Sequence, residues 1–197
     1  YRHDFEPMKT RLILGADLDY SPGEYFERRT QAYKTGDQYT SYTYVTSTTN
    51  NYDYDATFTG ISPYIHTEVS PLEKLRFTLG ARYDDMSYDY KTYLAANSNR
   101  PADTERSFNH ISPKAGLTYL FTKDISAFVS YNHGFRVPSS GDLFRGNSGT
   151  ASTAVNLQPI KIDSYETGIK TAFMDNKLTL DTSLYQMIKK DDIISYS

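Results

Sequence analysis

The chain has 197 residues, a net charge of −3 and no cysteine. It therefore has neither a disulfide framework nor a thiolate metal site, and its charge gives no support to a nucleic-acid partner. No run reaches the ~18 apolar residues that a helical membrane span needs. A membrane β-barrel stays compatible with this polarity, because only alternate residues of its strands meet lipid.

Alternation of apolar and polar residues recurs along the chain, while helical periodicity is nearly absent. In TRLILGADLDY, one face carries Leu12, Leu14, Ala16, Leu18 and Tyr20. In LRFTLGARYDD, one face carries Leu75, Phe77, Leu79, Ala81 and Tyr83. The same pattern returns in ISPKAGLTYLF, SYETGIKTAF and KLTLDTSLYQ, and less cleanly in ISPYIHTEV and ISAFVSY. With a strand tail at 1–5, the sequence predicts about eight strands.

Short and long connections alternate between these strands. Short turns are predicted at 6–9, 70–74, 122–124 and 174–177, and long polar stretches at 21–51, 94–107 and 139–159. Outer-membrane barrels have short periplasmic turns and long extracellular loops, whereas a soluble sandwich mixes loop lengths at both ends. The predicted fold class is therefore all-β, with antiparallel transmembrane β-barrel strands, and a soluble β domain is the less favoured alternative.

Charged residues lie in mid-strand, opposite the apolar rows: Arg82, Lys114, Glu166, Lys170 and Asp181. In a small barrel they would have to pair within a tight interior, but in a large barrel they can face water or an inserted domain. This pattern favours a large barrel.

Three stretches in order resemble the barrel of TonB-dependent outer-membrane receptors: YNHGFRVPSSGDLF, VNLQPIKIDSYETGIKTAF and NKLTLDTSLYQMIKKDDIISY. The matching positions are Phe135, Arg136, Pro138, Ser139, Asn156, Leu157, Pro159, Ser164, Tyr165, Glu166, Gly168, Lys190, Asp191 and Ile193. The resemblance extends over about 11–197 and lies in the order and spacing of the motifs. It implies about 22 strands around a plugged lumen, so residues 1–197 are expected to be a partial barrel domain whose plug domain is absent.

The resemblance implies a function in the bacterial outer membrane. Members take up a scarce chelate, most often a ferric siderophore, with energy delivered by a periplasmic coupling protein through the missing plug. Outer-membrane lipid is the expected surrounding. The chain is not expected to be an enzyme. A passive porin and a soluble β-rich binding module remain as alternatives, and the open reading frame upstream would separate a receptor from a porin.

Tyrosine and arginine near the predicted outer ends are candidate ligand contacts, because both residue types combine stacking area with hydrogen-bond donors. The predicted contacts are Arg145, Arg136, Tyr42, Tyr44, Tyr88 and Tyr90. The tyrosines are explained equally well by a structural role, in which they form an aromatic girdle at the membrane interface and pack within the loops. For Arg136 the favoured role is to brace the strand end by bonding loop carbonyls, with Gly134 allowing a bend and Pro138 ending the pairing.

No residue pattern indicates catalysis, a cofactor or a metal. The four histidines, His3, His66, His110 and His133, show no metal-ligand spacing on a helical face. The serines lack a G-x-S-x-G context. Carboxylate pairs near strand ends more often bind water or basic neighbours than calcium.

Overall fold

A computed structural model describes residues 1–28, 30–44, 50–145, 154–174 and 177–192. Its strands are β1 (Arg2–Phe5), β2 (Thr10–Glu27), β3 (Thr30–Thr35), β4 (Gln38–Tyr44), β5 (Tyr52–Leu72), β6 (Leu75–Thr92), β7 (Thr104–Leu120), β8 (Ile125–Arg136), β9 (Ile160–Phe173) and β10 (Leu178–Lys190). A 3₁₀ turn, Pro7–Lys9, precedes β2, and a short helix, α1 (Ser140–Phe144), follows β8. Within these ranges no helix is long and apolar enough to cross a membrane.

Eight strands form one antiparallel sheet in the order β1-β2-β5-β6-β7-β8-β9-β10, and β3 pairs with β4 in a separate two-stranded sheet. The predicted count of about eight strands is confirmed for the large sheet. β1 and β10 lie at its two edges, so the sheet is an open section of barrel wall. The short turns also lie where the sequence predicts them, at Pro7–Lys9 and between Leu72 and Leu75.

One face of the large sheet, here called the apolar face, carries a band of exposed aliphatic and aromatic side chains. Leu18 and Leu184 are 79% and 76% exposed. Other members of the band are Leu14, Phe77, Leu79, Ile111, Val129, Tyr165, Ile169, Phe173 and Leu180. A patch of this size on a protein in water would be unusual, and side chains that alternate along a lipid-facing strand explain it. The faces predicted for β2 and β6 are confirmed.

The opposite face, here called the polar face, holds the mid-strand charges. Arg82 bonds Asp84, with 2.7 Å between its Nε and the Oδ1 of that carboxylate, and it also pairs with Asp17. Because Asp84 is only 3% exposed, this ion pair provides hydrogen bonding that water cannot provide at the site. Lys170 and Asp181 pair at 3.7 Å in the neighbouring strands β9 and β10.

The predicted loop at 21–51 is wrong in extent. β2 continues to Glu27, which pairs with Tyr52 of β5, and β3 and β4 form a hairpin within the remainder. Tyrosine, phenylalanine and threonine favour pleated structure, so these polar but aromatic residues prolong the strands. The suggestion that the tyrosine-rich stretch extends the strands beyond the membrane agrees with this arrangement.

Pairing between β7 and β8 stops before either strand ends. The last pair is Lys114 with Asn132, and Pro113, the next residue of β7, has no N–H to continue the ladder. Over residues 104–113, β7 pairs only with β6, and over residues 133–136, β8 pairs only with β9. This divergence is called the ladder gap below. The predicted bend at Gly134 is absent, because Gly134 pairs in register with Ile162.

Leu79 and Thr78 provide a test of the two faces. Leu79→Arg in the complete receptor is expected to lower barrel stability by about 2–4 kcal/mol, because it places a charge near the bilayer midplane. Thr78→Arg, one residue away on the polar face, is expected to cost much less. Unfolding in lipid vesicles measures both, and equal costs would contradict the assigned faces.

Arg82→Leu would be a poor control for that experiment. Removing the guanidinium leaves the buried Asp84 carboxylate without its main partner, and an unpaired buried charge is strongly destabilising.

Candidate ligand-binding face

The strand ends rise well beyond a membrane. β5 has 21 residues and β6 has 18, whereas a tilted membrane strand needs ~9–11. On the polar face of these extensions lies an aromatic cluster made of Tyr25, Tyr54, Tyr88, Tyr90 and Phe108. Neighbouring rings stack across strands, since the ring centroids of Tyr54 and Tyr90 are 5.0 Å apart and those of Tyr25 and Tyr54 are 5.3 Å apart.

Helix α1 packs onto this cluster. Leu143 and Phe144 are both completely buried. The Phe144 ring stacks on Tyr90 with a centroid distance of 4.3 Å and meets Tyr88 edge to face at 6.0 Å. The segment after β8 therefore folds inward over the polar face, away from the apolar face.

A capping box starts the helix that delivers Phe144. The Ser139 hydroxyl accepts a hydrogen bond from the Asp142 backbone N–H at 3.2 Å, and the Asp142 carboxylate accepts one from the Ser139 N–H at 3.0 Å. These two bonds satisfy backbone donors that a helix of five residues would otherwise leave open. The cap fixes the direction in which the chain enters the cluster.

Arg145 follows the buried Phe144 directly. Its guanidinium carbon lies 4.4 Å from the centroid of the Tyr25 ring, and the Tyr25 hydroxyl donates to Glu27 at 2.8 Å. Arg145 nonetheless remains exposed to solvent. The Tyr25 ring holds the guanidinium at the solvent-exposed edge of the cluster, and a guanidinium carries five N–H donors that suit an anionic or carbonyl oxygen.

Arg100 has the carbonyl-bracing role that the sequence suggested for Arg136. Its guanidinium donates to the carbonyls of Asn50 and Asn51, at 3.1 and 2.7 Å, and to that of Ala95. It thereby ties the segment before β5 to the one after β6. Arg136 ends β8 with an exposed side chain that makes no hydrogen bond or ion pair to the described residues.

Three of the six predicted contacts come together in one place: Arg145, Tyr88 and Tyr90. The ligand contacts themselves stay predictions. Tyr42, 72% exposed, belongs to the β3–β4 sheet. Tyr44 ends β4, and its side chain lies outside the described residues.

Sequence reasoning missed Tyr25 and Phe108 as members of the cluster, and it missed Phe144 as the residue that packs onto it. Tyr25 had a readable signal, since it continues the odd-numbered row of β2 that carries Asp17. For Phe144 the sequence offered only a weak signal, the apolar pair Leu143 and Phe144 a few residues after the helix-capping Ser139.

Burial changes the acid–base behaviour of the cluster. It raises the pKa of Tyr54 from 10.0 to about 12. Burial also raises the pKa of Tyr88 and of Tyr90. These phenols are therefore neutral at physiological pH.

The fold and this face define a segment of an outer-membrane β-barrel receptor. Residues 2–197 match the family described as TonB dependent receptor-like, beta-barrel. The chain belongs to this family, whose members are proteins of the Gram-negative outer membrane, as the resemblance implied.

Curated relatives agree with this assignment. The ferric-pyoverdine 358 receptor of Pseudomonas putida is 27% identical over 131 residues, which are 66% of this chain and 14% of that protein. The ferrioxamine B receptor of Salmonella typhimurium is 30% identical over 109 residues, covering 54% and 13%. The structure of P. aeruginosa FpvA bound to heterologous pyoverdines aligns with a TM-score of 0.65 at 16% identity, covering 95% of this chain and 24% of that one. The chain thus spans a small part of its relatives' length.

Phe144→Ala tests how the segment after β8 is anchored. Removing a fully buried phenylalanine costs about 3–5 kcal/mol, and this cost is expected to fall on the docking of α1 rather than on the barrel. Limited proteolysis of the intact receptor should therefore cut within 137–159 much faster in the variant. Phe26→Ala is the control, because it removes an exposed ring near the end of β2 and should leave the cutting rate unchanged. Equal cutting rates for the two variants would refute the docking of α1.

Alkaline pH should loosen the same contact. Packing of α1 helps to bury the Tyr54 side chain of β5, whose pKa is raised to about 12 from 10.0, so Tyr54 ionises more readily when α1 is released. The docking of α1 is therefore expected to keep its full stability below pH 10 and to weaken between pH 10 and 12, by at most about 1.4 kcal/mol per pH unit. Proteolysis at a series of pH values measures this, and Tyr54→Phe should flatten the profile. An unchanged slope in that variant would assign the effect to another group.

Proposed function

We propose that the chain forms part of the wall and of the extracellular ligand-binding mouth of a receptor for ferric siderophore uptake. The observation that carries this proposal is the aromatic cluster on the polar face, with Arg145 stacked at its edge. Flat aromatic surface and an oriented guanidinium suit a large, polar, anionic chelate. The relatives named as receptors for ferric-pyoverdine and for ferrioxamine B support the same ligand class.

Transport by the whole receptor is part of the proposal. We infer that residues 1–197 are a partial barrel domain and that a plug domain elsewhere in the full protein fills the lumen. The polar face, with its paired charges at Arg82 and Lys170, suits contact with water or with such a plug. Energy would come from the periplasmic coupling protein acting on the plug. A passive porin fits less well, because the segment 137–145 is docked onto the face that would line its channel.

Arg145→Ala in the full-length receptor tests the proposed mouth. The probes are iron-loaded ferrioxamine B, ferric pyoverdine and ferrichrome, each measured for binding to purified receptor. For the chelate that wild type binds, the variant is expected to bind roughly 30-fold more weakly, as for loss of an interface anchor worth about 2 kcal/mol. Arg136→Ala should have a smaller effect, because Arg136 is exposed and stacks on none of the described aromatic rings.

Arg76→Ala is the matched control. Arg76 is on the polar face near the opposite end of β6, so its loss should leave chelate binding unchanged. All variants are normalised to folded receptor in the outer membrane. If Arg145→Ala binds the chelate with wild-type affinity, the cluster is not part of the binding site. Energy-independent, non-saturable uptake of all three chelates by wild type would favour the porin instead.

A further inference from the structure

Two histidines meet at the ladder gap. His110 of β7 and His133 of β8 have their Nε2 atoms 2.7 Å apart and their ring centroids 4.9 Å apart. The rings thus face each other through their nitrogens. A contact this short requires one Nε2 to donate and the other to accept. A single side-chain hydrogen bond therefore joins β7 to β8 where their backbone pairing has ended.

His133 is oriented from behind by a carboxylate. Its Nδ1 lies 2.6 Å from Asp163 Oδ1. The same carboxylate accepts from the Tyr131 hydroxyl at 3.0 Å and from Lys190 at 3.4 Å. The His133 and Asp163 side chains are only 15% and 14% exposed. A carboxylate on Nδ1 fixes the proton there and leaves Nε2 as the metal-binding nitrogen, the arrangement common to histidine metal ligands.

We propose that His110 and His133 form a binding site for a divalent transition-metal ion, which replaces the bridging proton and links β7 to β8. Within the described ranges no three His, Cys, Asp or Glu side chains converge on one point, so two imidazoles and water would complete the coordination. Imidazole nitrogen suits Cu²⁺, Ni²⁺ and Zn²⁺, with Cu²⁺ bound most tightly.

The geometry needs a small adjustment to accept the ion. Tetrahedral Zn–N bonds of about 2.0–2.1 Å place two nitrogens about 3.3 Å apart, somewhat farther than they are here. The ladder gap permits this movement because no backbone bond joins β7 to β8 above Lys114 and Asn132. Asp84, the cross-strand partner of His110, favours a cation, while Lys161, beside Phe135 in the β8–β9 register, opposes it.

Metal titration of the purified full-length receptor without an affinity tag tests the proposal and does not depend on the proposed uptake function. Cu²⁺ alone is added and followed by calorimetry and by electron paramagnetic resonance. Wild type is expected to show one site with nitrogen coupling from two imidazoles. Either His110→Ala or His133→Ala should abolish it, and Asp163→Asn should weaken it by about 10–100-fold.

His66→Ala is the control, since His66 lies on β5 beside Glu68, away from the gap. It should leave the Cu²⁺ site intact. The spectrum of the wild-type protein decides the matter even where a variant fails to fold, because a site without imidazole coupling overturns the proposal. Binding that survives both alanine variants, or Asp163→Asn with wild-type affinity, overturns it as well.

Discussion

A backbone that crosses lipid has no water to satisfy its N–H and C=O groups, so every one of them must pair with a neighbouring strand. This constraint produces the antiparallel pairing of the eight-stranded sheet. The ladder in turn imposes period two, which places Leu79 on the apolar face and its neighbour Thr78 on the polar face. The exposed leucines, the paired mid-strand charges and the short turns at one end all follow from it.

The same constraint explains where irregularity is allowed. The ladder gap opens above Lys114 and Asn132, toward the end of β8 farther from its short turn, where water becomes available to unpaired backbone. Pro113 lies at that boundary. Side chains take over the joining of β7 to β8 there, and the contact between His110 and His133 replaces the missing main-chain bonds.

Sequence reasoning recovered what period two determines. The faces of β2 and β6, the strand count and the short turns could all be predicted, because each depends on residues close together in the chain. The contact between His110 and His133 could not, since it depends on where two strands separate. The carbonyl bracing by Arg100 was likewise unreadable, because its partners, Asn50 and Asn51, are about fifty residues away. For Arg136, the motif was recognisable while its physical role was not.

The candidate ligand-binding face combines tyrosines on rigid strands with an arginine on a loop. The tyrosines stand on paired strands, so their ring positions are fixed before any ligand arrives. Arg145 comes from a loop, and loops normally lose conformational entropy when a ligand orders them. Here the preceding residue, Phe144, is fully buried against Tyr90, so most of this entropy is already lost during folding. A guanidinium that is already stacked on Tyr25 needs little further ordering to contact a ligand, and this supports the proposal that Arg145, rather than Arg136, is the anchor.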